Sequence, residues 1–161
     1  MPQPEPQPLR FDSHPGTEAV FAAVSDINLP ARFGTEFKGG RWLDGATAPA
    51  PGARFTGRNA HPAVGEWETT CTVTAYDPPR LFAYEVTGAD GTTGSSWRFT
   101  VTPAENGCEL TQSMRMGPGR SLINRAIDAM PDKESRILHR RLKEHRTNMQ
   151  ANLDGIKQML E

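Results

Sequence analysis

Residues 132–161 read DKESRILHRRLKEHRTNMQANLDGIKQMLE, a run without a proline. Its apolar side chains fall at Leu138, Leu142, Met149, Leu153, Ile156 and Leu160, in steps of three, four and seven. At 3.6 residues per turn those steps stack on one face of a helix, as a narrow stripe. Lys133, Arg136, Arg140, Lys143, Arg146 and Lys157 fall on the other faces and call for water. A narrow stripe on so long a helix needs a broad apolar partner. One stripe residue does not suit a dry core: His145 sits between Leu142 and Met149.

The partner has to come from the middle of the chain, where the helical period is replaced by alternation. Residues 53–61 put Phe55, Gly57, Asn59 and His61 on one face, with Arg54, Thr56 and Arg58 on the other. In residues 66–76, Trp67, Thr69, Cys71, Val73 and Ala75 alternate with Glu68, Thr70, Thr72 and Thr74. The same period aligns Phe82, Tyr84 and Val86, then Trp97, Phe99 and Val101, then Leu110, Gln112, Met114 and Met116. Period-2 segments joined by turns such as Asp77-Pro78-Pro79-Arg80 and Ala89-Asp90-Gly91 predict an antiparallel meander with one apolar face. Residues 37–43 add a strand before it, and a helical turn or two is expected over 121–130, closed by Pro131.

Upstream, Pro2, Pro4, Pro6 and Pro8 alternate with polar residues, so residues 1–8 read as a disordered proline-rich arm. A short edge strand is expected at 9–13, a helix from Thr17 to about Ser25, and a second short helix over 27–33. Residues 9–161 then form a single domain, and 161 residues suffice to bury a real core.

A net charge of -1 and an isoelectric point near 6.4 give no general attraction for nucleic acid or anionic membranes. The two cysteines, Cys71 and Cys108, are too few for a disulfide framework and lack metal spacing. No apolar run is long enough to span a membrane, no apolar leader precedes residue 15, and a cytoplasmic location is expected.

The order of elements, with Glu18-Ala19-Val20-Phe21-Ala22-Ala23-Val24-Ser25-Asp26, Trp42-Leu43, Pro51-Gly52-Ala53-Arg54-Phe55, Gly57, Asn59, residues 67–73 and the terminal helix, resembles the START/Bet v 1-like (SRPBCC) superfamily, often labelled polyketide cyclase/dehydrase. The resemblance implies an α+β helix-grip fold: a curved antiparallel sheet of six to seven strands around the C-terminal helix, with two short helices near the N-terminus. It also implies a cavity between sheet and helix that takes a hydrophobic ligand. Two departures concern element boundaries: Pro8 and Pro15 truncate the first strand, and Pro131 interrupts what is often one continuous helix.

Parity and the helix stripe name the residues that would line such a cavity: Phe55, Trp67, Phe82, Tyr84, Trp97, Phe99, Leu110 and Met114 from strands, and Leu142, Met149 and Leu153 from the helix. A packed core would use the same residues. Against a plain core, Asn59, Thr69, Cys71, Gln112 and His145 share those faces. Each buried polar group without a partner costs roughly 1–3 kcal/mol, so the set requires partners, water or a ligand. An apolar pocket with a few convergent polar groups is the usual composition of a ligand site.

His145 is the candidate catalytic residue, because imidazole titrates near neutral pH and exchanges protons with a carbonyl or enol. The alternative is that it bonds a strand carbonyl or Gln112 and orders the helix. His61, followed by Pro62, is expected to be solvent-exposed. The four histidines, His14, His61, His139 and His145, never fall at i and i+4, so neither a metal nor another cofactor is expected. Gly117-Pro118-Gly119 lacks the third glycine of a dinucleotide loop, and Gly94-Ser95-Ser96-Trp97 is no nucleophile elbow. The basic residues from Arg136 to Arg146 lack interleaved aromatics and read as a solvated face rather than a nucleic-acid surface.

Three function classes remain. The first is carriage or sequestration of a lipid, isoprenoid or polyketide-like molecule. The second is a cyclase or dehydratase in the same pocket, using His145 with Asn59, Tyr84 or Gln112. The third, an interaction module using the proline arm and the basic helix, would need an exposed apolar patch that no surface-facing stretch provides. An enzyme calls for two converging titratable groups, and the sequence offers one, so binding ranks first.

Overall fold

A computed structural model of the protein describes residues 1–88 and 90–161. Seven strands form one antiparallel sheet: β1 (Gln7–Phe11), β2 (Phe37–Trp42), β3 (Arg54–His61), β4 (Gly65–Asp77), β5 (Leu81–Thr87), β6 (Thr93–Pro103) and β7 (Cys108–Met116). Their spatial order is β1-β7-β6-β5-β4-β3-β2, so the meander folds in sequence and β1 returns to close the β7 edge. Helix α1 (Thr17–Val24) and a 3₁₀ turn (Leu29–Arg32) connect β1 to β2. Helix α2 (Leu122–Ala129) and a 3₁₀ turn begun by Pro131 lead to α3 (Glu134–Leu160). The expected architecture is present: a helix gripped by a curved sheet.

Boundaries moved where local chemistry outweighed pattern. Strand β1 begins at Gln7, with Gln7 opposite Gln112 and Pro8 opposite Thr111, rather than spanning 9–13. Proline is tolerated there because β1 is an edge strand. The helix expected over 27–33 is only the 3₁₀ turn Leu29–Arg32, with Pro30 in its first turn. Of the turn expected at Ala89-Asp90-Gly91, Ala89 lies outside the described residues; around it Gly88 N–H donates to Thr92 O at 2.8 Å.

One face assignment also changes. A β-bulge between Val73 and Ala75 reverses the alternation of β4, so Tyr76, not Ala75, joins the apolar face. There the Tyr76 ring lies 5.6 Å from Phe21 and 6.4 Å from Phe82. A bulge places two residues opposite one, and sequence alternation cannot register that extra residue.

The core lies where α1 and the C-terminal half of α3 cover the sheet. Phe11, Val20, Phe82, Phe99, Val101, Leu110, Leu153 and Ile156 are each 2% exposed or less. Each such side chain contributes about 1.5–3 kcal/mol by leaving water. Helix α3 is fastened on both flanks. On one, Lys157 Nζ donates to Arg10 O at 3.1 Å. On the other, the Phe33 ring occupies the space a side chain at Gly155 would need, so glycine at 155 permits the close approach.

Candidate functional site

Strand register arranges the candidate residues as rows across the concave face. One row runs Phe55, Cys71, Val86, Ser95, Met116; the next runs Val73, Tyr84, Trp97, Met114; the third runs Tyr76, Phe82, Phe99, Gln112 and reaches Gln7 of β1. Asn59 stands opposite Trp67, and Thr69 opposite Gly57, nearer the β3–β4 turn. Every strand residue named as a candidate lining is therefore on this face, whereas Ala75 is turned off it by the bulge. They separate by burial. Phe55, Cys71, Phe82, Phe99, Gln112, Met114 and Met149 are enclosed, whereas Asn59, Trp67, Thr69, Tyr84, Trp97 and Leu142 remain partly open to solvent.

The contact between the concave face and α3, called the groove below, thus has a closed end, sealed under α1, and a less buried, open end towards the β3–β4 turn. At the open end Met114, Met116 and Met149 form a small cluster of their own, with Trp97 and Leu142 packed on it. Methionine is unbranched and polarizable, so this lining adapts to irregular shapes. Tyr84 sits centrally in a chain of aromatics, its ring 5.3 Å from Phe55 and 5.7 Å from Phe82. Two hollows of about 450 and 430 Å³ lie elsewhere. The first lies on the outer flank of α3, lined by Arg146, Thr147 and Gln150 among others; the second lies on the β2–β4 surface around Arg41, Thr56, Arg58 and Glu68.

His145 enters the groove as its place on the stripe predicts. It is 7% exposed and its ring stands edge-on to Trp97 at 5.7 Å. Among the described residues neither ring nitrogen has a hydrogen-bond partner, neither a strand carbonyl nor Gln112. Burial, then the Arg141 charge, lowers its pKa to about 4 against the opposing pull of Glu36 and Glu144. At neutral pH the imidazole is uncharged, with one donor and one acceptor nitrogen. Burial likewise raises the Tyr84 hydroxyl, helped by nearby Cys71, and pushes the Cys71 thiol up to about 12 despite the Thr69 hydroxyl bonded to it. Neither group ionises near neutral pH.

A cluster of charge missed by the sequence reading closes the flank of the open end. Arg141 makes a bidentate pair with Glu36, 2.6 and 2.8 Å, and reaches Glu144 at 3.1 Å. Glu144 also accepts from His61 Nε2 at 2.7 Å, while Ala63 N–H donates to His61 Nδ1 at 3.0 Å. The backbone donor leaves the His61 proton on Nε2, directed at Glu144. His61 is thus bound rather than exposed, and Arg141 is not part of a solvated basic face. For Arg141, burial favours the neutral form, but its bonds to Glu36 and then Glu144 outweigh this and raise its pKa. Burial of Glu144 is similarly outweighed by His61 and Arg141, which lower its pKa. The i, i+3 spacing of Arg141 and Glu144 was a local signal; Glu36, 105 positions away, gave none.

The second omission is Asn152. It falls one turn beyond Met149 on the same stripe, 3% exposed, and its Nδ2 donates to Gln112 Oε1 at 3.2 Å. Asn152 Oδ1 is fully buried with no partner. An acceptor in that state costs about 1–3 kcal/mol. Among the described residues no group of three or more His, Cys, Asp and Glu converges as a metal site, and no helix is long and apolar enough to cross a membrane.

Comparison with known proteins gives this groove its context. Residues 14–161 match the family model described as polyketide cyclase/dehydrase and lipid transport. The Polyketide_cyc-like protein Cgl2372 of Corynebacterium glutamicum is similar in structure, with 28% identity and a TM-score of 0.65 over 96% of this chain and 89% of that one. The di-domain ARO/CYC BexL from the BE-7585A biosynthetic pathway shares the fold at 15% identity and TM-score 0.62, over 98% of this chain and 49% of BexL. Ara h 8.0201 does so at 11% identity and TM-score 0.57, over 96% and 98%. No curated protein matches the chain in sequence. With 148 consecutive residues matched and the helix-grip architecture in place, the chain belongs to the polyketide cyclase/dehydrase and lipid transport family.

Proposed function

We propose that the protein binds and carries a hydrophobic small molecule, of lipid, isoprenoid or polyketide-like chemistry, between the concave sheet face and α3. The observation that carries this reading is the open end of the groove. There Trp97 and Leu142, packed on the methionine cluster, and Trp67 on the same sheet face are only partly buried. Apolar surface left so exposed gains roughly 25 cal/mol per Å² when a ligand covers it. The uncharged, unpartnered imidazole of His145 supplies a polar contact that fixes orientation. Both cysteines are free, which suits a reducing, cytoplasmic setting. Native mass spectrometry of protein purified from its own host tests the reading directly. A co-purified apolar molecule, displaced by an environment-sensitive hydrophobic dye, is the expected result. Protein that arrives empty and binds no such dye would overturn it.

A second reading, a cyclase or dehydratase in the same groove, is favoured by one observation: His145 stands beside the Glu36–Arg141–Glu144–His61 cluster, so several titratable groups converge after all. BexL, a di-domain ARO/CYC of a biosynthetic pathway, adopts the same fold. In this reading neutral His145 exchanges a proton with a bound carbonyl or enol, with Tyr84, Asn59 or Gln112 holding the oxygen. His145→Gln separates the two: affinity retained within a few-fold while turnover falls by roughly 10²–10⁴ marks catalysis. Weakened binding with no turnover marks carriage.

A further inference from the structure

The pair Gln112–Asn152 sits at the border between the two apolar clusters of the groove. Gln112 neighbours Phe99 and Gln7 in the sheet, and Asn152 stands one turn from Met149 and two turns from His145 on α3. Two carboxamides share a single hydrogen bond, Asn152 Nδ2 to Gln112 Oε1 at 3.2 Å, and Asn152 Oδ1 is left bare and fully buried. Turning both amides over exchanges donor and acceptor but leaves the Asn152 amino group bare instead. In either orientation one polar end of Asn152 lacks a partner on a face otherwise made of Met114, Met149, Leu153 and Phe99.

We propose that Asn152, held by Gln112, is a recognition point for a hydroxyl group on the ligand, so that the groove selects an apolar skeleton bearing an O–H at its inner end. This rests on the reading of the groove as a binding site. A hydroxyl is singled out because it donates to Oδ1 or accepts from the amino group, and so satisfies either orientation. A purely hydrocarbon end would leave the buried group bare and keep its cost. The proposal requires entry past Met149 and Met114, which are buried between the open end and the pair, and methionine is the apolar side chain that adapts most readily by changing rotamer. His145 and Asn152 are seven residues apart, about 10 Å by helical rise, and hold two polar contacts on one line with Met149 between them.

The test compares 2-naphthol with 2-methylnaphthalene, near-isosteric probes differing in one hydroxyl, by displacement of a bound hydrophobic dye. A purely apolar groove prefers the methyl compound. The proposal expects the parent protein to prefer 2-naphthol, and Asn152→Leu to lower the naphthol-to-methylnaphthalene affinity ratio at least tenfold while the methyl compound still binds. Should the single variant fail to fold, the double variant Gln112→Leu/Asn152→Leu removes both polar partners together and leaves no bare carboxamide; the same drop is expected. A parent that prefers 2-methylnaphthalene, or a ratio unchanged in the variants, overturns the proposal and leaves Asn152 a structural residue bonded to a buried water. If neither probe binds the parent, the binding reading itself falls and takes this inference with it.

Discussion

The closed and open ends of the groove are built from the same strands and the same helix, yet they differ in kind. At the closed end Phe82, Phe99, Leu110, Leu153 and Ile156 are sealed beneath α1, and their branched or aromatic side chains fix one packing. At the open end the lining is methionine, Trp97, Leu142 and the His145 imidazole, and Trp97 and Leu142 remain partly exposed. Folding is driven from one end, and the capacity to accommodate another molecule is kept at the other. The largest expected effect measures that difference. Phe99→Ala should lose about 3–5 kcal/mol in urea denaturation, as buried phenylalanines do. Trp97→Ala, a larger deletion at a half-open position, should lose only about 1–2 kcal/mol but abolish most dye binding. Equal stability losses would mean that the open end is also core.

Acid sharpens the comparison next, because the open end holds the buried histidine. The His145 pKa is lowered from 6.5 to about 4, so between those values the unfolded chain takes up a proton that the folded one refuses. Stability should therefore be full above about pH 6.5 and fall as pH drops towards 4, by about 3 kcal/mol in total. His145→Gln should flatten that part of the profile. An unchanged slope in the variant would place the acid sensitivity elsewhere.

What the sequence revealed follows the same division. Period-2 alternation and the helix stripe placed Trp67, Tyr84, Trp97, Gln112 and His145 on one face, because inward orientation is a matter of parity and parity is local. Which half of that face is sealed depends on where α1 lands, a contact between residues far apart in the chain. The charge cluster was illegible for the same reason: Arg141 reads as one more basic residue on a polar helix until Glu36 is brought against it. Asn152 was legible in principle, since it lies on the stripe, but its neighbour Leu153 accounted for the pattern. The bulge in β4 and the early start of β1 left no periodic trace at all.

The cluster itself supplies the next, smaller effect. The Arg141 side chain is only 21% exposed, with Glu36 at 18% and Glu144 at 30%, so Arg141→Met leaves Glu36 without its partner and Glu144 with His61 alone, in partly buried surroundings. A loss of about 1–3 kcal/mol is expected, below the figure for a fully buried pair because water still reaches the site. The sharper readout is His145. Removing the Arg141 charge leaves Glu36 and Glu144 to favour the imidazolium, so the His145 titration followed by NMR should move up from about 4. A titration that stays in place would detach the cluster from the groove.

The smallest effect expected comes from the amino-terminal arm, and it also distinguishes the two ends. Gln3 reaches across to the end of β7, where its Nε2 donates to Met116 O at 2.9 Å and its Oε1 accepts from Met116 N–H at 2.6 Å. Met116 belongs to the methionine cluster of the open end, whereas the β1 pairing of Leu9 and Phe11 with Leu110 and Cys108 lies over the closed end. Removing residues 1–6 takes away the first contact and leaves the second. The expected cost is about 1 kcal/mol, a Tm lower by roughly 2–4 °C, together with faster hydrogen exchange at the Met116 amide and none at Leu110. Extending the deletion through Pro8 removes the Gln7–Gln112 pairing too and should cost more, because it uncovers the strand that holds the polar pair. If the shorter deletion accelerated exchange at both amides alike, the arm would be supporting the whole sheet edge, and the two ends would not be separable.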